Sequence, residues 1–334
     1  MSHHGNISIF VPHIGCPHRC SFCDQHAITG QPSLPTAQEI TAAVTAAKTG
    51  RRYDPKTTEL AFFGGSFTAI ARQDMERLLQ IGSNFVKRGE VCGIRISTRP
   101  DAITEEILNL LAQYGVTAIE LGCQSLSDAV LTKNLRGHTA ADVAAAAEQI
   151  HAAGFSLGLQ MMTGLPDDDD AKALETAKAM IRMRPDTVRI YPTLVLEHTV
   201  LHRLYQAGTY QPQTLEQAVS LTARLMEQFE SAGIRVIRVG LHSVDQTRFI
   251  AGPWLPAFGE LCRSKCLLEQ VQRLLKKQDI PLGLVEITVP TGLGSAMIGQ
   301  KKANIEILKE MGYNCKVIES HCNDIVLRSK NSAN

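Results

Sequence analysis

Short β-rich runs alternate with amphipathic helical stretches along most of the chain. That order predicts an α/β fold, an open or partial (β/α) barrel followed by a small C-terminal α/β domain. Three observations carry this reading. Apolar residues switch repeatedly between compact strand-like runs and helical spacing. Helix boundaries are signposted, as where Thr104 opens a helix and Gly115 stops it. A turn-rich stretch, Ala251-Gly252-Pro253-Trp254-Leu255-Pro256, then breaks the pattern before a last set of helix, strand, helix and strand.

The elements follow in order. Strands are expected at Ile7 to Pro12, Glu59 to Phe63, Gly93 to Ser97, Val116 to Leu121, Ser156 to Met161, Val188 to Tyr191 and Arg235 to Val239. Between them, helical spacing marks Thr36 to Lys48, Asp74 to Lys87, Thr104 to Tyr114, Ala140 to Ala153, Ala171 to Met183 and Leu215 to Ala232. Strands alternating with helices imply a parallel sheet, and active sites of such barrels collect at the carboxyl ends of the strands. The acidic run Asp167 to Asp170 reads as a solvated first turn, where the helix dipole favours negative charge. A domain boundary is expected near residue 245, giving a barrel over 1–245 and a small α/β domain over 246–334. The small domain tilts positive, with 12 Lys and Arg against 8 Asp and Glu.

Composition narrows the functional classes. The 334 residues are 44% hydrophobic and 20% charged, which is ordinary globular usage. A net charge of +1 provides no global field for nucleic acid or an anionic membrane, and 5% aromatics leave little for a broad stacking platform. No secretory leader is visible, and no stretch reaches the roughly 20 apolar residues of a membrane span. The expectation is a reduced, cytoplasmic protein with no membrane partner.

Nine cysteines stand out, and three of them, Cys16, Cys20 and Cys23, fall within eight residues. Thiolates on one short loop can face a common centre, and soft sulfur selects zinc, copper(I) or an iron–sulfur cluster. A closed zinc site needs a fourth ligand, for which His13, His18 or His26 is at hand. A [4Fe–4S] cluster held by three cysteines leaves one iron open for another ligand.

The CxxxCxxC spacing with Phe22 before the last cysteine resembles the signature of the radical S-adenosylmethionine (SAM) enzymes. The resemblance implies that Cys16, Cys20 and Cys23 bind a [4Fe–4S] cluster whose open iron takes SAM. Reductive cleavage of SAM then yields methionine and a 5′-deoxyadenosyl radical. It also implies an oxygen-sensitive protein that draws electrons from a reductase such as flavodoxin or ferredoxin. Phe63-Gly64-Gly65-Ser66 ends the second strand, where glycines let backbone approach a ligand. By the same resemblance, Phe22, Gly64, Gly65 and Ser66 belong to the cofactor-binding set.

Further motifs narrow the likeness. Thr98-Arg99-Pro100-Asp101, Glu120-Leu121-Gly122-Cys123-Gln124-Ser125, Asn134 to Thr139, Met161 to Pro166 and Ile190 to Val195 are similar to the radical SAM domain of the elongator catalytic-subunit family. Those enzymes modify the wobble uridine of tRNA. The likeness runs over roughly residues 7–240 and implies that Arg99, Gln124, Met161 and Tyr191 line the SAM and substrate pocket. It suggests a tRNA or other RNA nucleoside as substrate, with a small metabolite as the alternative and a non-enzymatic zinc-stabilised binding module as a third reading. The departures are specific. The family's acetyltransferase domain and basic N-terminal extension are expected to be lacking, and Glu197-His198 stands where the family carries Lys or Arg followed by Gly.

Three features lie outside that likeness. Gly299-Gln300-Lys301-Lys302 resembles the GxxG turn of a KH-type RNA-binding loop, with lysine in place of the second glycine, which makes Gly299, Lys301 and Lys302 candidate RNA contacts. A capped helix with a solvated basic pair is the plainer reading. Cys262, Cys266, Cys315 and Cys322 are candidates for a second metal site, against the ordinary expectation of buried thiols. His138 and His242 are the histidines best placed for function, although structural hydrogen bonding is the commoner use.

Overall fold

The computed structural model describes residues 5–12, 16, 20–23, 33–51, 53–241 and 245–330. His13, His18, His26 and His242 lie outside the described residues. The chain divides into two compact units, one of residues 1–214 and 229–254, the other of residues 215–228 and 255–334.

The first unit is built on a seven-stranded parallel sheet, as the strand–helix alternation predicts. Its strands are β1 (Gly5–Val11), β2 (Thr58–Gly64), β3 (Gly93–Thr98), β4 (Val116–Gln124), β5 (Ser156–Thr163), β6 (Thr187–Pro192) and β8 (Arg235–Val239), in that spatial order. Each strand pairs in parallel with the next in that order, which is the partial (β/α) barrel. The crossovers are α1 (Ala37–Lys48), α2 (Arg72–Lys87), α3 (Glu105–Gln113), α5 (Ala140–Ala152), α6 (Asp170–Arg182) and α8 (Leu215–Ser231), of which residues 215–228 group with the second unit. A two-residue strand β7 (Val195–Leu196) pairs antiparallel with β9 (Phe249–Ala251). The short helices α4 (Asp128–Lys133) and α7 (Val200–Gln206) are additions that the periodicity does not signal.

Capping residues start these helices where expected. Thr36 and Glu39 form a reciprocal capping box at α1, and Thr139 and Asp142 do the same at α5. Thr104 accepts from the Ile107 amide at the start of α3, and Asp169 caps α6, so the acidic run is a helix entry.

Strand parity separates two environments. Leu60 and Phe62 of β2, Ile94 and Ile96 of β3, Ile119 and Leu121 of β4, Leu157, Leu159 and Met161 of β5, and Val188 and Ile190 of β6 are fully buried. This is the side packed on helices: a Cβ on Gly82 of α2 would strike the Ile94 and Leu60 side chains. The alternate residues carry the opposite face, which is polar and forms the lumen of the partial barrel.

The second unit contains α9 (Phe258–Lys277), β10 (Gly283–Pro290), α10 (Gly294–Ile298), α11 (Ala303–Glu310), β11 (Tyr313–Ser320) and β12 (Val326–Ser329). Its sheet runs β11-β10-β12, with β10 parallel to β11 and antiparallel to β12. Leu267, Val271 and Leu275 of α9 pack on Val285, Ile287 and Val289 of β10, with Met297, Leu308 and Leu327 closing the core. Among the described residues no helix is long and apolar enough to cross a membrane.

Candidate active site

The cysteine loop follows β1 and lies at the carboxyl end of the sheet. Its described part is tied down by the backbone. The Ser21 amide donates to Asn134 O at 3.1 Å and Ser21 Oγ to Asn134 Oδ1 at 2.6 Å, while Leu201 N donates to Ser21 O at 2.8 Å. Asn134 is itself fixed, its Nδ2 donating to Val130 O and Pro166 O. Phe22 packs against Val195, Leu201 and Tyr210. The Cys23 amide donates to Cys20 O at 3.2 Å, which closes a turn between these two cysteines.

Two guanidiniums meet the thiols. Arg136 Nη1 donates to Cys20 Sγ at 3.0 Å, and its Nη2 donates to Gly122 O. Burial pushes the Cys16 thiol up, while the Ser66 amide and the Arg99 and Arg136 guanidiniums pull it down. Arg99 is gripped by Asp101 (Nε to Oδ1 2.9 Å, Nη2 to Oδ2 3.1 Å) and also donates to Arg136 O. Arg99 Nη1 and Arg136 Nε are buried and donate to no partner among the described residues. Orphaned cationic donors beside two thiols form a pocket for an anionic group, so these residues fit a thiolate-bound iron–sulfur cluster and the carboxylate of a cofactor. Among the described residues, no three His, Cys, Asp or Glu side chains converge as an ion site.

The strand ends supply the floor. Gly64 has φ 112, a conformation open to glycine, and the Gly65 amide donates to Val11 O at 2.9 Å. Ser66 Oγ lies 2.8 Å from Thr98 Oγ1 and accepts from the Arg99 amide at 3.3 Å, which locks the ends of β2 and β3 together. On β4 the register shifts between Gly122 and Gln124, and Gln124 adopts φ 67. This bulge turns its side chain toward Gln160, whose Nε2 donates to Gln124 Oε1 at 3.1 Å. Met161 pairs with Ile190 and is fully buried on the helix side, whereas Met162 pairs with Tyr191 and shares the lumen face. His138 is buried, and burial, then Arg136 and Arg99, lower its pKa to about 4, with Asp101 and the Cys123 backbone opposing.

A chain of buried charges crosses the lumen, which sequence motifs did not reveal. Arg95 Nε donates to Glu59 Oε2 at 2.7 Å and its Nη1 to Glu120 Oε1 at 3.2 Å. Glu120 also accepts from Arg189 Nε at 2.7 Å and Nη2 at 3.0 Å. The Arg189 guanidinium stands 4.7 Å over the Phe63 ring and reaches Tyr191 Oη at 3.5 Å. Burial pushes the Tyr191 hydroxyl up, with Arg189 opposing. Arg238 of β8 is the register partner of Arg189. Its Nε donates to Gly240 O at 3.0 Å, and no carboxylate among the described residues pairs with it. Burial lowers its pKa, Arg189 adds to that, and Tyr191 opposes. The signal for this lumen was present: a single charge sits in each of four largely uncharged strands, at Glu59, Arg95, Glu120 and Arg189, and β8 adds Arg238 beside Arg235.

Cys262 and Cys266 are buried on α9, and burial pushes Cys262 up to about 12. Cys315 on β11 is pushed up to about 11 by burial, and among the described residues Cys262, Cys266, Cys315 and Cys322 form no metal-holding group.

The profile of the radical SAM superfamily matches residues 10–180, just over half of the chain, and that of the radical SAM C-terminal domain matches residues 185–267. An uncharacterized protein of Methanocaldococcus jannaschii is 27% identical over 286 residues, covering 81% of this chain and 84% of that one. The tRNA uridine(34) acetyltransferase of the same organism is 33% identical over 129 residues, 38% of this chain and 24% of its own. Elongator complex protein 3 of Saccharomyces cerevisiae is 35% identical over 137 residues, 40% of this chain and 25% of its own. The matched segments thus span about a quarter of those two relatives. Among solved structures, Methanocaldococcus infernus Elp3 with an N-terminal deletion aligns at TM-score 0.62 and 19% identity, covering 83% of this chain and 64% of that one. Streptococcus suis SuiB bound to S-adenosylmethionine aligns at TM-score 0.51 and 13% identity, covering 72% of this chain and 51% of that one. These two share the fold. With the family profile covering the cysteine loop and the strands that frame it, this chain belongs to the radical SAM superfamily, whose enzymes work with a [4Fe–4S] cluster and SAM.

Proposed function

We propose that this protein holds its cluster on Cys16, Cys20 and Cys23, cleaves SAM reductively, and acts on an RNA nucleoside of the tRNA wobble-uridine type. The observation that carries the first part is the meeting of Cys16 and Cys20 with Arg99 and Arg136 at the strand ends. When bound, the cluster and SAM supply one-electron cleavage of the sulfonium and an adenosyl radical able to abstract hydrogen. The protein's own residues bind and orient. The Gly64-Gly65 edge presents backbone without side chains to the methionine amino group. Arg99, clamped by Asp101, offers its free Nη1 to a carboxylate. The Gln124–Gln160 pair offers amide groups toward the ribose. Flavodoxin or ferredoxin serves as the electron donor.

The RNA substrate rests on the names of the relatives and on Arg238, an unneutralised guanidinium in the lumen suited to a nucleotide phosphate. Anaerobic reconstitution with iron and sulfide, followed by dithionite and SAM, is expected to release 5′-deoxyadenosine. A fully iron-loaded preparation that binds SAM and never releases it refutes the radical reading, and a preparation that takes zinc in place of iron supports the binding-module alternative. Comparing modified nucleosides of host tRNA with and without the gene tests the substrate. An unchanged nucleoside profile refutes RNA and leaves a small anionic metabolite.

A further inference from the structure

We propose that the second unit is a clamp for single-stranded RNA, in which the turn Gly299-Gln300-Lys301-Lys302 grips phosphates and neighbouring apolar side chains meet bases. The inference rests on the RNA reading above and names the surface that would deliver it.

The chain order is strand, helix, turn, helix, strand. β10 leads into α10, the turn and α11 return the chain to β11, and β11 lies parallel to β10 with β12 on the opposite edge. A glycine-bearing turn between two such helices is the device by which KH-type modules hold nucleic-acid backbone. The departure in sequence, lysine at the second glycine position, disappears in the backbone. Lys301 (φ 51, ψ 29) and Lys302 (φ 64, ψ 24) both take the left-handed conformation that glycine favours. Such backbone costs about 1–2 kcal/mol per residue and persists only where the surroundings hold it.

The surroundings do hold it. Gly299 has φ 78, and a Cβ there would lie 3.1 Å from the Asn304 amide and 3.2 Å from Ser264 Oγ. Asn304, 5% exposed, donates through Nδ2 to Met297 O at 3.1 Å and Ser264 O at 3.0 Å. The end of α10, the turn and α9 are thereby tied to one buried amide. The effect is to present Lys301 and Lys302 side by side in solvent, and neither has an ion pair among the described residues. Glu306, one turn along α11, is engaged by Lys309.

The elements on either side of the turn carry exposed apolar side chains as well. Ile298, directly before the turn, and Ile307 and Met311, one helical turn apart, are 36%, 39% and 42% exposed. Among the described residues, seven of the ten exposed large apolar side chains fall in this smaller unit. Cations flanked by exposed apolar side chains match a single strand, which carries phosphates and unstacked bases together, better than a partner that is only acidic.

The test uses the full-length reconstituted protein and fluorescence anisotropy with a labelled single-stranded RNA dodecamer. The double variant Lys301→Glu/Lys302→Glu is expected to bind at least about tenfold more weakly and to show a shallower salt dependence. The control Lys276→Glu/Lys277→Glu, on the exposed end of α9, is expected to change affinity less than about twofold, and melting curves confirm that both variants fold. Equal binding by wild type and double variant, no binding by wild type, or equal displacement by polyglutamate overturns the clamp. Production of 5′-deoxyadenosine without RNA is measured in parallel. Its loss in wild type with RNA binding intact defeats the radical reading and leaves the clamp, whereas the reverse pattern defeats the clamp alone.

Discussion

The two faces of the seven-stranded sheet both bury side chains and use that burial in opposite ways. On the helix side, Leu60, Phe62, Ile94, Ile96, Ile119 and Val188 are shut away in apolar contact. Each such side chain contributes about 1.5–3 kcal/mol by leaving water. On the lumen side, Glu59, Arg95, Glu120 and Arg189 are shut away as ions. Desolvating these charges offsets most of what their mutual attraction returns, so the ladder is a poor stabiliser. It holds Arg189 and Tyr191 in fixed positions and leaves Arg238 beside them without a counter-charge among the described residues. One face keeps the fold and the other spends stability on an oriented polar cavity.

Four expectations would break or sharpen that contrast. The largest concerns the lumen's mouth: replacing Cys16, Cys20 or Cys23 by Ala is expected to bring iron content and 5′-deoxyadenosine release to background while the melting temperature of the metal-free chain stays put. Retained iron in any one of the three variants would remove that cysteine from the ligand set.

Next, Glu120→Gln leaves Arg95 and Arg189 buried with half their partners and is expected to cost about 3–5 kcal/mol. Leu60→Ala on the opposite face is expected to cost about 2–5 kcal/mol, by cavity formation. Urea unfolding compares the two. If replacing Glu59, Arg95, Glu120 and Arg189 together by apolar residues lost more stability than Glu120→Gln alone, the ladder would be a true stabiliser and the contrast would fail.

Arg238→Gln is expected to leave the melting temperature within a few degrees and to raise KM for the substrate about 10- to 100-fold with little change in kcat, since a charge-assisted bond is worth about 1.5–3 kcal/mol. An unchanged KM would show that the lone guanidinium does not touch substrate.

The smallest effect concerns Asp168, a carboxyl after β5 that burial raises to about 7 and that, unlike Glu120, has no guanidinium partner among the described residues. Its folded value lies above the unfolded one. The folded state therefore takes up a proton that the unfolded state lacks as pH falls from 7 toward 4, and stability rises across that window. Asp168→Asn is expected to melt higher than wild type at pH 8 and at the same temperature near pH 4, read from thermal scans. Equal melting at pH 8 would place the ionised carboxylate in solvent.

Much of the scaffold was legible because local chemistry and fold agree. Runs such as Glu59 to Phe63 and Val188 to Tyr191 read as strands since apolar residues crowd them, and Thr36, Thr104 and Asp169 mark helix entries through their own side chains. Asp128–Lys133 and Val200–Gln206 escaped notice because helices this short show little amphipathic period. Strand parity was the harder matter. Met161 and Met162 are indistinguishable by type, and only the register with Ile190 and Tyr191 assigns one to the helix side and the other to the lumen. The bulge that re-aims Gln124 likewise leaves no mark in local composition.

The amino-acid order by itself determined the alternating α/β plan, the three closely spaced cysteines, the glycine edge after β2 and a glycine turn in the smaller unit. These are local facts, written in spacing and backbone preference. The tertiary structure alone decided that Arg136 reaches a sulfur 116 residues earlier, that four strands pool their single charges into one ladder, and that Arg238 is left over. A charge in a strand declares only that one side of the sheet tolerates it. Which charges become partners is set by the pairing and register of strands far apart in the chain.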